Sequence, residues 1–323
     1  MDINEEIKKI TLEAVADNTA ASYRYDLKSF WAWAYITKGI KKPEYPTPPE
    51  IIEAYIIENI QGFDVSMDKI LLEFGYKSKP GRLAVATIRR RVDALIWKHK
   101  TLNLENPAAS SKVKKLFKAA KRLESKNGAI IRKSKPITQE ILTKLIQSIK
   151  PDSLIGKRNR AILSFGFYTG GRRRSEIAQA EYRFLSEHRG GFQYTLHRSK
   201  TDQEGEGRVK VLWRKRAYPL KAWIKAAKIN DGFLFRQIIN GTVTDRAIHP
   251  DLVNQIVKAH IEAIGLDPAK YSAHGLRRGF VTTCAQRGVP VFDIMALTDH
   301  KDLRMVQRYY DEGQSDQNKG ARL

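Results

Sequence analysis

The residues that could do chemistry concentrate towards the end of the sequence. His274 and Arg277 stand three residues apart, a spacing that places both side chains on one face of a helix. His300 follows an apolar segment, and Tyr309, with Tyr310 beside it, comes nine residues after His300. Arginine binds phosphate through two parallel hydrogen bonds, histidine transfers protons near neutral pH, and tyrosine can attack phosphorus. Together these residue types and spacings predict a pocket for a phosphodiester.

This pattern resembles the catalytic motif of the tyrosine recombinase (phage integrase) family, in which an HxxR motif precedes a His or Trp and then a tyrosine nine positions further on. The resemblance implies that Tyr309 is the nucleophile; Tyr310 takes that place only if the intervening turn carries an extra residue. It also implies that His274 accepts the tyrosine proton, that Arg277 stabilises the pentacoordinate phosphorane, and that His300 donates a further hydrogen bond. The alternatives are a core histidine at 300 and a packed aromatic ring at the tyrosine.

A Gly-Gly pair in the segment TGGRRRSEIAQAEY precedes three consecutive arginines, Arg172, Arg173 and Arg174. The family's first arginine lies two residues before a Ser-Glu or similar pair, and this rule selects Arg173 as a second phosphate-stabilising group. Glu176 then falls one turn later, where the resemblance gives it the role of supporting His274. Arg172 and Arg174 stay open as alternatives. The glycines form no phosphate-binding loop motif, so nucleotide hydrolysis is not indicated.

Two segments with alternating apolar residues, 192–196 and 208–213, predict the strands of a β-hairpin, and the second places Val209 and Val211 on one face. Between them lies the turn-rich segment SKTDQEGEG, which contains Lys200. Lys200 stands where the family carries its catalytic lysine, on a hairpin that reaches into the DNA minor groove. The resemblance implies that Lys200 protonates the leaving 5′-oxygen; the alternative is a solvated surface charge.

The sequence departs from the family at one position beside the second histidine. The family usually has glycine there, whereas this chain has Asp299 in the segment LTDH. An acidic residue next to a phosphate pocket is unexpected. Asp299 therefore either orients a neighbouring side chain or faces outward.

The composition points to a polyanionic partner. The 323 residues carry 58 Lys and Arg against 35 Asp and Glu, a formal charge of +23. So large a positive charge, with a pI near 9.9, makes nucleic acid the first candidate. An apolar fraction of 42% favours packed cores over a disordered basic chain. No run of about 18 apolar residues is present, so no membrane span is expected.

The single cysteine, Cys284, allows no internal disulfide and no cysteine-based zinc site, and its apolar surroundings predict a core position. The segment MDINEEIKKITLEAV has neither the basic nor the apolar region of a signal peptide, so we expect a cytoplasmic, nucleoid-associated protein. No cofactor or metal is expected, because arginine and histidine can carry the charge of a phosphate and no carboxylate cluster is evident.

Helical patterns dominate the sequence, and its length predicts about two domains. We expect an N-terminal helical DNA-binding domain at residues 1–125, a basic linker at 126–136 and a catalytic domain at 137–323. The resemblance adds the family's architecture, a helical core-binding domain followed by an α+β catalytic domain. The predicted fold class is therefore mainly α with a small antiparallel β-sheet.

Basic residues cluster in the first domain and the linker, where phosphate contact competes with a solvated helix face as the explanation. In the segment TIRRRVDALIWKHK, Thr87 is the predicted N-cap and the apolar residues form a buried stripe, which leaves the basic residues and His99 for the surface. The predicted DNA-contacting residues are Arg89, Arg90, Arg91, Lys98, Lys114, Lys115, Lys118, Lys121, Arg122, Arg132 and Lys133.

The resemblance implies a site-specific recombinase that cleaves and rejoins DNA strands through a 3′-phosphotyrosyl intermediate and a Holliday junction, without ATP or metal. The implied partner is double-stranded DNA with paired inverted-repeat sites, bound by a homotetramer. A type IB topoisomerase-like or telomere-resolving enzyme shares this chemistry and stays open, as does a non-catalytic DNA-binding protein of the same fold. An RNA-binding protein is disfavoured, because the sequence lacks an RRM-like aromatic motif.

Overall fold

The computed structural model describes residues 17–126, 134–196 and 207–314, and these residues fall into two compact units. One unit precedes the segment 127–133 and the other follows it, and each is described by itself. The predicted linker lies largely outside the described residues, as do Arg132, Lys133 and Lys200. Within the described ranges, no helix is long and apolar enough to cross a membrane.

The first unit is built from helices over its described length. Its second helix starts at Pro49, and proline suits that start because a first-turn N–H has no partner within the helix. The helices are α1 (Asp17–Lys38), α2 (Pro49–Gln61), α3 (Val65–Glu73), α4 (Val85–Thr101) and α5 (Ser111–Lys126).

Aromatic side chains form much of the core of the first unit. Phe30, Trp31 and Trp33 of α1 are buried. Two of these rings, Phe30 and Trp33, contact Tyr55 of α2 at centroid distances of 4.8 and 4.9 Å. The indole Nε1 of Trp33 donates to Glu58 at 2.9 Å, so its polar group is satisfied. The aromatic side chains of α1 therefore serve packing.

The basic helix α4 differs from its prediction at both ends. It begins at Val85, ahead of the predicted N-cap Thr87, and the carboxylate of Glu124 accepts the Val85 N–H at 3.0 Å. Near the other end, His99 is fully buried, where its Nε2 accepts from the N–H of Thr47 at 2.9 Å. Contacts with distant segments therefore determine both the start of α4 and the burial of His99, and the local sequence pattern does not reveal those contacts.

The second unit combines helices with two small antiparallel sheets, one with strand order β1-β2-β3 and one formed by β4 and β5. The fold class predicted from the sequence, mainly α with a small antiparallel sheet, is confirmed. The helices are α6 (Gln139–Ser148), α7 (Leu154–Tyr168), α8 (Arg174–Ala178), α9 (Tyr218–Ala227), α10 (Pro250–Ala263), α11 (His274–Gln286), α12 (Val291–Thr298) and α13 (Leu303–Gln314). The strands are β1 (Leu185–His188), β2 (Gly191–Leu196), β3 (Arg208–Leu212), β4 (Arg236–Ile239) and β5 (Thr242–Ala247).

The predicted hairpin is the β2–β3 pair, with Phe192 opposite Leu212 and Leu196 opposite Arg208. The sequence did not predict β1 or the β4–β5 hairpin, because these strands are short or largely exposed and show no clean apolar alternation. The sequence predicts an apolar face of β3 formed by Val209 and Val211, but the opposite face is the buried one. Val209 is 52% exposed, while Lys210 and Leu212 face the interior.

Helix α7 passes through the core of the second unit. Residues 161–167 are all buried, as expected of a helix that is apolar on most sides. The hydroxyl of Ser153 caps its start by accepting the N–H of Gly156 at 2.9 Å. Because α7 is held on all sides, it fixes the position of the glycine turn and the arginines that follow it.

Candidate active site

The glycine turn after α7 sets the path of the chain into the arginine cluster. Gly170 and Gly171 have φ angles of +97° and +70°, a region that L side chains rarely adopt. A Cβ on Gly171 would lie 2.5 Å from the Cα of Arg277, and a Cβ on Gly170 would lie 2.1 Å from the carbonyl oxygen of Leu297. The two glycines therefore let the turn pack directly against the backbone of α11 and of α12.

Arg172 and Arg173 leave this turn into different surroundings. The Arg172 side chain is buried and donates to the Asp299 carboxylate and to the Leu297 carbonyl, each at 2.7 Å. The Arg173 side chain is 27% exposed, and its guanidinium and backbone N–H both bind the buried Glu176. Glu176 thus fixes the position of Arg173, which differs from its expected support of the first histidine. Of these two arginines, Arg173 is the one open to a ligand.

Arg277 is buried among backbone carbonyls. It donates to the carbonyl of Gly171 at 3.1 Å, to the carbonyl of Thr298, and through Nε to Nε2 of His300 at 3.3 Å. Burial, and then the positive charge of Arg173, lowers the pKa of Arg277 to about 10. The guanidinium is still charged near neutral pH. None of these three acceptors is a carboxylate, so its charge can stabilise a bound anion.

His300 is held in one orientation by the end of α12. Its Nδ1 lies 2.7 Å from Oγ1 of Thr298, and that hydroxyl donates to the carbonyl of Ile294 at 2.8 Å. Because the hydroxyl proton is used there, Nδ1 is the protonated nitrogen and Nε2 accepts from Arg277. Burial, followed by the charges of Arg277 and Arg173, lowers the pKa of His300 to about 3. In this arrangement Nε2 has no proton to donate, unlike the donor that the resemblance implies.

His274 is the first residue of α11 and is exposed. Desolvation of part of its ring, and then the charges of Arg277 and Arg278, hold its pKa below 6.5. The imidazole is therefore neutral near pH 7. A neutral imidazole at an exposed position, beside positive charge, can accept a proton from an incoming or neighbouring hydroxyl.

Asp299 occupies the C-cap of α12 in the left-handed region, with φ 58° and ψ 36°. Aspartate tolerates this region, which explains how it can replace the family's glycine. Its buried carboxylate accepts from Arg172 at 2.7 Å, Lys210 at 2.7 Å and Arg208 at 3.2 Å. Burial alone would raise the pKa of Asp299, but Arg172 and Lys210 together outweigh it and hold the pKa below 3.8. Asp299 therefore does not face outward; its carboxylate orients the neighbouring cations.

No local pattern indicated that Lys210 and Arg208 belong to this cluster. Strand alternation directed attention to the valine face of β3, whereas Lys210 points inward because it pairs with a buried carboxylate. The departure from glycine at Asp299 was the one available signal, since a buried acid requires buried cations. The tertiary fold, and not the local sequence, brings those cations to Asp299.

Tyr309 and Tyr310 are half-buried on α13 and pack against an apolar cluster that includes Val306. The guanidinium carbon of Arg278 lies 4.8 Å from the centroid of the Tyr309 ring, within the range of a cation–π interaction. Arg278 directly follows Arg277 on α11. The ring of Tyr309 is thereby tied to the helix that carries the HxxR motif.

The exposed face of α5 carries the basic residues predicted there. Val113 and Phe117 are buried on the opposite face and hold the helix against the first unit. This separation leaves a dense row of positive charge in solvent, as a phosphate-binding surface requires. The exposed predicted residues of this helix are Lys114, Lys115, Lys118, Lys121 and Arg122.

One predicted DNA-contacting arginine of α4, Arg91, lies in the interior of the first unit, which corrects its prediction. Arg91 is buried and donates to Tyr55 Oη at 3.3 Å and to the Tyr76 carbonyl at 2.7 Å. Arg90 binds both oxygens of the buried Asp26, at 2.7 and 2.8 Å, but its side chain is 51% exposed, so its contact with DNA stays a prediction. Both guanidinium groups are used by protein acceptors, so the run of like charge is not a uniform surface. Arg89 is 54% exposed and lies 3.3 Å from Asp93, and Lys98 is partly exposed.

In the part of the chain that the structure describes, no group of three or more His, Cys, Asp or Glu side chains is placed to hold a metal ion. Cys284 is partly buried, and burial raises the pKa of its thiol to about 11, so it stays protonated and unreactive. The cationic cluster around Arg277 is thus the site whose chemistry the described residues define.

Similar proteins point the same way. Residues 135–315 match the sequence model of the phage integrase family. The chain is 30% identical over 308 residues to an integrase/recombinase XerD homolog of Selenomonas ruminantium, an alignment that covers 92% of this chain and 82% of that protein.

Two solved recombinase structures share the fold. XerH site-specific recombinase, in a post-cleavage complex with palindromic difH substrate, has a TM-score of 0.57 at 16% identity, covering 90% of this chain and 75% of that one. A lambda integrase dimer bound to a COC′ core site has a TM-score of 0.57 at 14% identity, covering 95% and 93%.

The architecture and these matches define a site-specific recombinase. The chain belongs to the phage integrase family, the family of tyrosine recombinases. Its domain sizes and motif spacings also predict a likeness to Cre recombinase within that family, and this finer likeness stays a prediction.

Proposed function

We propose that this recombinase cleaves and rejoins DNA through a covalent 3′-phosphotyrosyl intermediate and exchanges strands between two sites through a Holliday junction, without ATP or a metal. The observation that carries the proposal is a concentration of positive charge in one place. The charges of Arg173 and Arg277 both lower the pKa values of the two site histidines. A phosphodiester bound among these groups would relieve their mutual repulsion.

Tyr309 is the proposed nucleophile. A tyrosine hydroxyl must lose its proton to become a good nucleophile, and the neutral His274 is the proposed acceptor. The bond from Oη to phosphorus forms as the bond to the 5′-oxygen breaks, and Lys200 donates the proton that the 5′-oxygen takes up. One phosphoester replaces another, so the bond energy is kept and rejoining requires no ATP.

Arg173 and Arg277 are the proposed stabilisers of the phosphorane, with Glu176 holding Arg173 in place. A bound phosphate oxygen would take over the Nε hydrogen bond that Arg277 now gives to His300. The same anion favours a proton on Nε2 of His300, which would then donate to the phosphate as the family resemblance implies.

The proposed substrate is double-stranded DNA with paired inverted-repeat sites, bound by a homotetramer. Support comes from the exposed basic face of α5 and from the palindromic DNA in the XerH complex. Such a substrate would place the protein at the nucleoid. Steering of the duplex by the net charge of +23 would make binding depend strongly on salt.

The proposal is tested with suicide substrates, nicked duplexes that carry candidate sites from the native locus. Cleavage next to the nick releases a short fragment and traps the protein on DNA, and a denaturing gel in EDTA then reveals the adduct. We expect the adduct with the wild-type protein and with Tyr310→Phe, and none with Tyr309→Phe. Tight DNA binding without any adduct would refute the enzymatic proposal and favour a DNA-binding role.

A further inference from the structure

Buried cations from three segments meet at the C-terminal end of α12. The last carbonyls of a helix have no partners within it and carry partial negative charge. Here the carbonyls of residues 296–298 accept from Lys210 at 3.0 Å, from Arg172 at 2.7 Å and from Arg277. Those cations come from β3, from the glycine turn and from α11, so one helix end gathers three parts of the site.

Asp299, the next residue, supplies the carboxylate that these buried cations need. A buried cation is stable when it is paired, and the carboxylate binds both Lys210 and Arg172 at 2.7 Å. Burial lowers the pKa of Lys210, and its hydrogen bond to Asp299 opposes that shift. With glycine at this position, the buried Lys210 of β3 would keep the carbonyl of residue 296 as its partner and lose the carboxylate.

The contacts of Asp299 with Arg172 and Lys210, and its place in the chain, connect it to positions in the proposed chemistry. Arg172 directly precedes Arg173, and His300 directly follows Asp299. Lys210 lies on β3, the strand that follows the connection containing Lys200. The strand contact depends most on Asp299, because Arg172 also binds the carbonyls of residues 170 and 297, whereas Lys210 retains one carbonyl.

We propose that Asp299 is a positioning residue for the leaving-group side of the reaction: its carboxylate fastens β3, the strand that follows Lys200 in the sequence, to the helix end that presents His300. This inference rests on the proposed function. Removal of the carboxylate then slows protonation of the 5′-oxygen, while the contacts of Arg277 to its carbonyls stay in place.

The variant that tests the inference is Asp299→Asn. Asparagine has nearly the same shape as aspartate and tolerates a left-handed backbone, but it carries no charge. Asp302→Asn is the matched control, because it makes the same change on a carboxylate that binds Arg304 at the surface. Both are compared in single-turnover cleavage of suicide duplexes with oxygen or with sulfur at the bridging 5′ position of the cleaved bond. A thiolate leaves without protonation, so a defect in proton donation disappears on the sulfur substrate.

We expect Asp299→Asn to cleave the oxygen substrate about 10- to 100-fold more slowly and the sulfur substrate at close to the wild-type rate. A Lys200→Ala variant should show the same pattern, and Asp302→Asn should match the wild type on both. Equal slowing of Asp299→Asn on the two substrates would overturn the inference.

A second measurement needs no DNA and separates the inference from the proposed function. Hydrogen exchange of the free protein should show faster exchange of β3 amides in Asp299→Asn, with α7 unchanged. Lys210→Met removes the same contact from the strand side, and it replaces Asp299→Asn in this measurement if that variant does not fold. Unchanged exchange in β3 overturns the inference, even if the wild-type protein forms no DNA adduct and the proposed function itself fails.

Discussion

At the scale of residues, two adjacent arginines show how surroundings decide a role. Arg172 is buried against the Asp299 carboxylate, while the side chain of Arg173 is 27% exposed and held by Glu176. A buried, paired guanidinium stabilises the fold, and an exposed one beside other cations is available for phosphate. The family rule selected Arg173, and its exposure is consistent with that selection.

Substitution of each arginine should therefore have a different consequence. Arg172→Ala removes a partner of a buried carboxylate, and we expect it to lower the free energy of unfolding by about 3–5 kcal/mol. Arg173→Ala should lower that free energy less, because the buried Glu176 keeps the Arg173 backbone N–H and lies 3.8 Å from Arg172, and it should slow adduct formation by at least about 100-fold. Denaturant unfolding and single-turnover cleavage measure the two effects. Normal cleavage by a folded Arg173→Ala protein would contradict the assignment.

The pH dependence of cleavage should report His274. Its pKa lies below 6.5, so the neutral form that accepts a proton prevails above that pH and is lost as the pH falls through the lowered pKa. At low enzyme concentration, the second-order rate constant for adduct formation should stay level above pH 6.5 and fall in more acidic buffer. His274→Ala should be slow and lack this acidic limb. A limb that begins well above the ordinary histidine pKa would rule out the neutral free imidazole as the base.

At the scale of elements, the C-terminal end of α12 and the glycine turn determine the shape of the site. Motif spacing nominated candidate residues for the chemistry, and the HxxR pair, His274 and Arg277, lies one turn apart on α11. It did not predict that Lys210 points inward or that Arg91 is buried, because a distant aspartate or tyrosine decides each case. Local patterns thus locate candidates, and tertiary pairing decides which charges are free for DNA.

The glycine turn offers a test with an internal control. Gly171 and Gly288 both have a φ of +70°, but a Cβ on Gly171 would meet the Cα of Arg277 at 2.5 Å, and a Cβ on Gly288 meets nothing within 4 Å. Both alanine variants carry similar backbone strain, so their difference isolates the clash. Denaturant unfolding should show Gly171→Ala less stable than Gly288→Ala by about 1–3 kcal/mol. Equal stabilities would mean that the turn does not pack as tightly as described.

At the scale of the whole molecule, the net charge is +23, and the basic residues that produce it differ in what they bind. On α5 the basic side chains stand in solvent, whereas Arg90 and Arg91 of α4 are bound to protein groups. Composition predicted the polyanionic partner, because only the sum matters for long-range attraction. It could not say which charges reach the DNA, because that depends on burial and pairing.

The salt dependence of DNA binding should separate these two groups. Replacement of Lys114, Lys115 and Lys118 by Gln should weaken binding and flatten the plot of log Kd against log salt, by about 0.9 for each phosphate that the protein no longer neutralises. Arg91→Gln should lower the free energy of unfolding and leave the salt slope of the folded fraction unchanged. Titrations at several salt concentrations measure both, and identical slopes for the lysine variant and the wild type would exclude α5 from the DNA interface.

The most direct test of the central claim is the identity of the residue bound to DNA. The wild-type adduct would be trapped in EDTA, digested with nuclease and protease, and the modified peptide sequenced by tandem mass spectrometry. We predict a phosphate or short nucleotide remnant on Tyr309, joined through the 3′ end of the cleaved strand. A remnant on Tyr310, on another residue, or at the 5′ end would contradict the proposed active site.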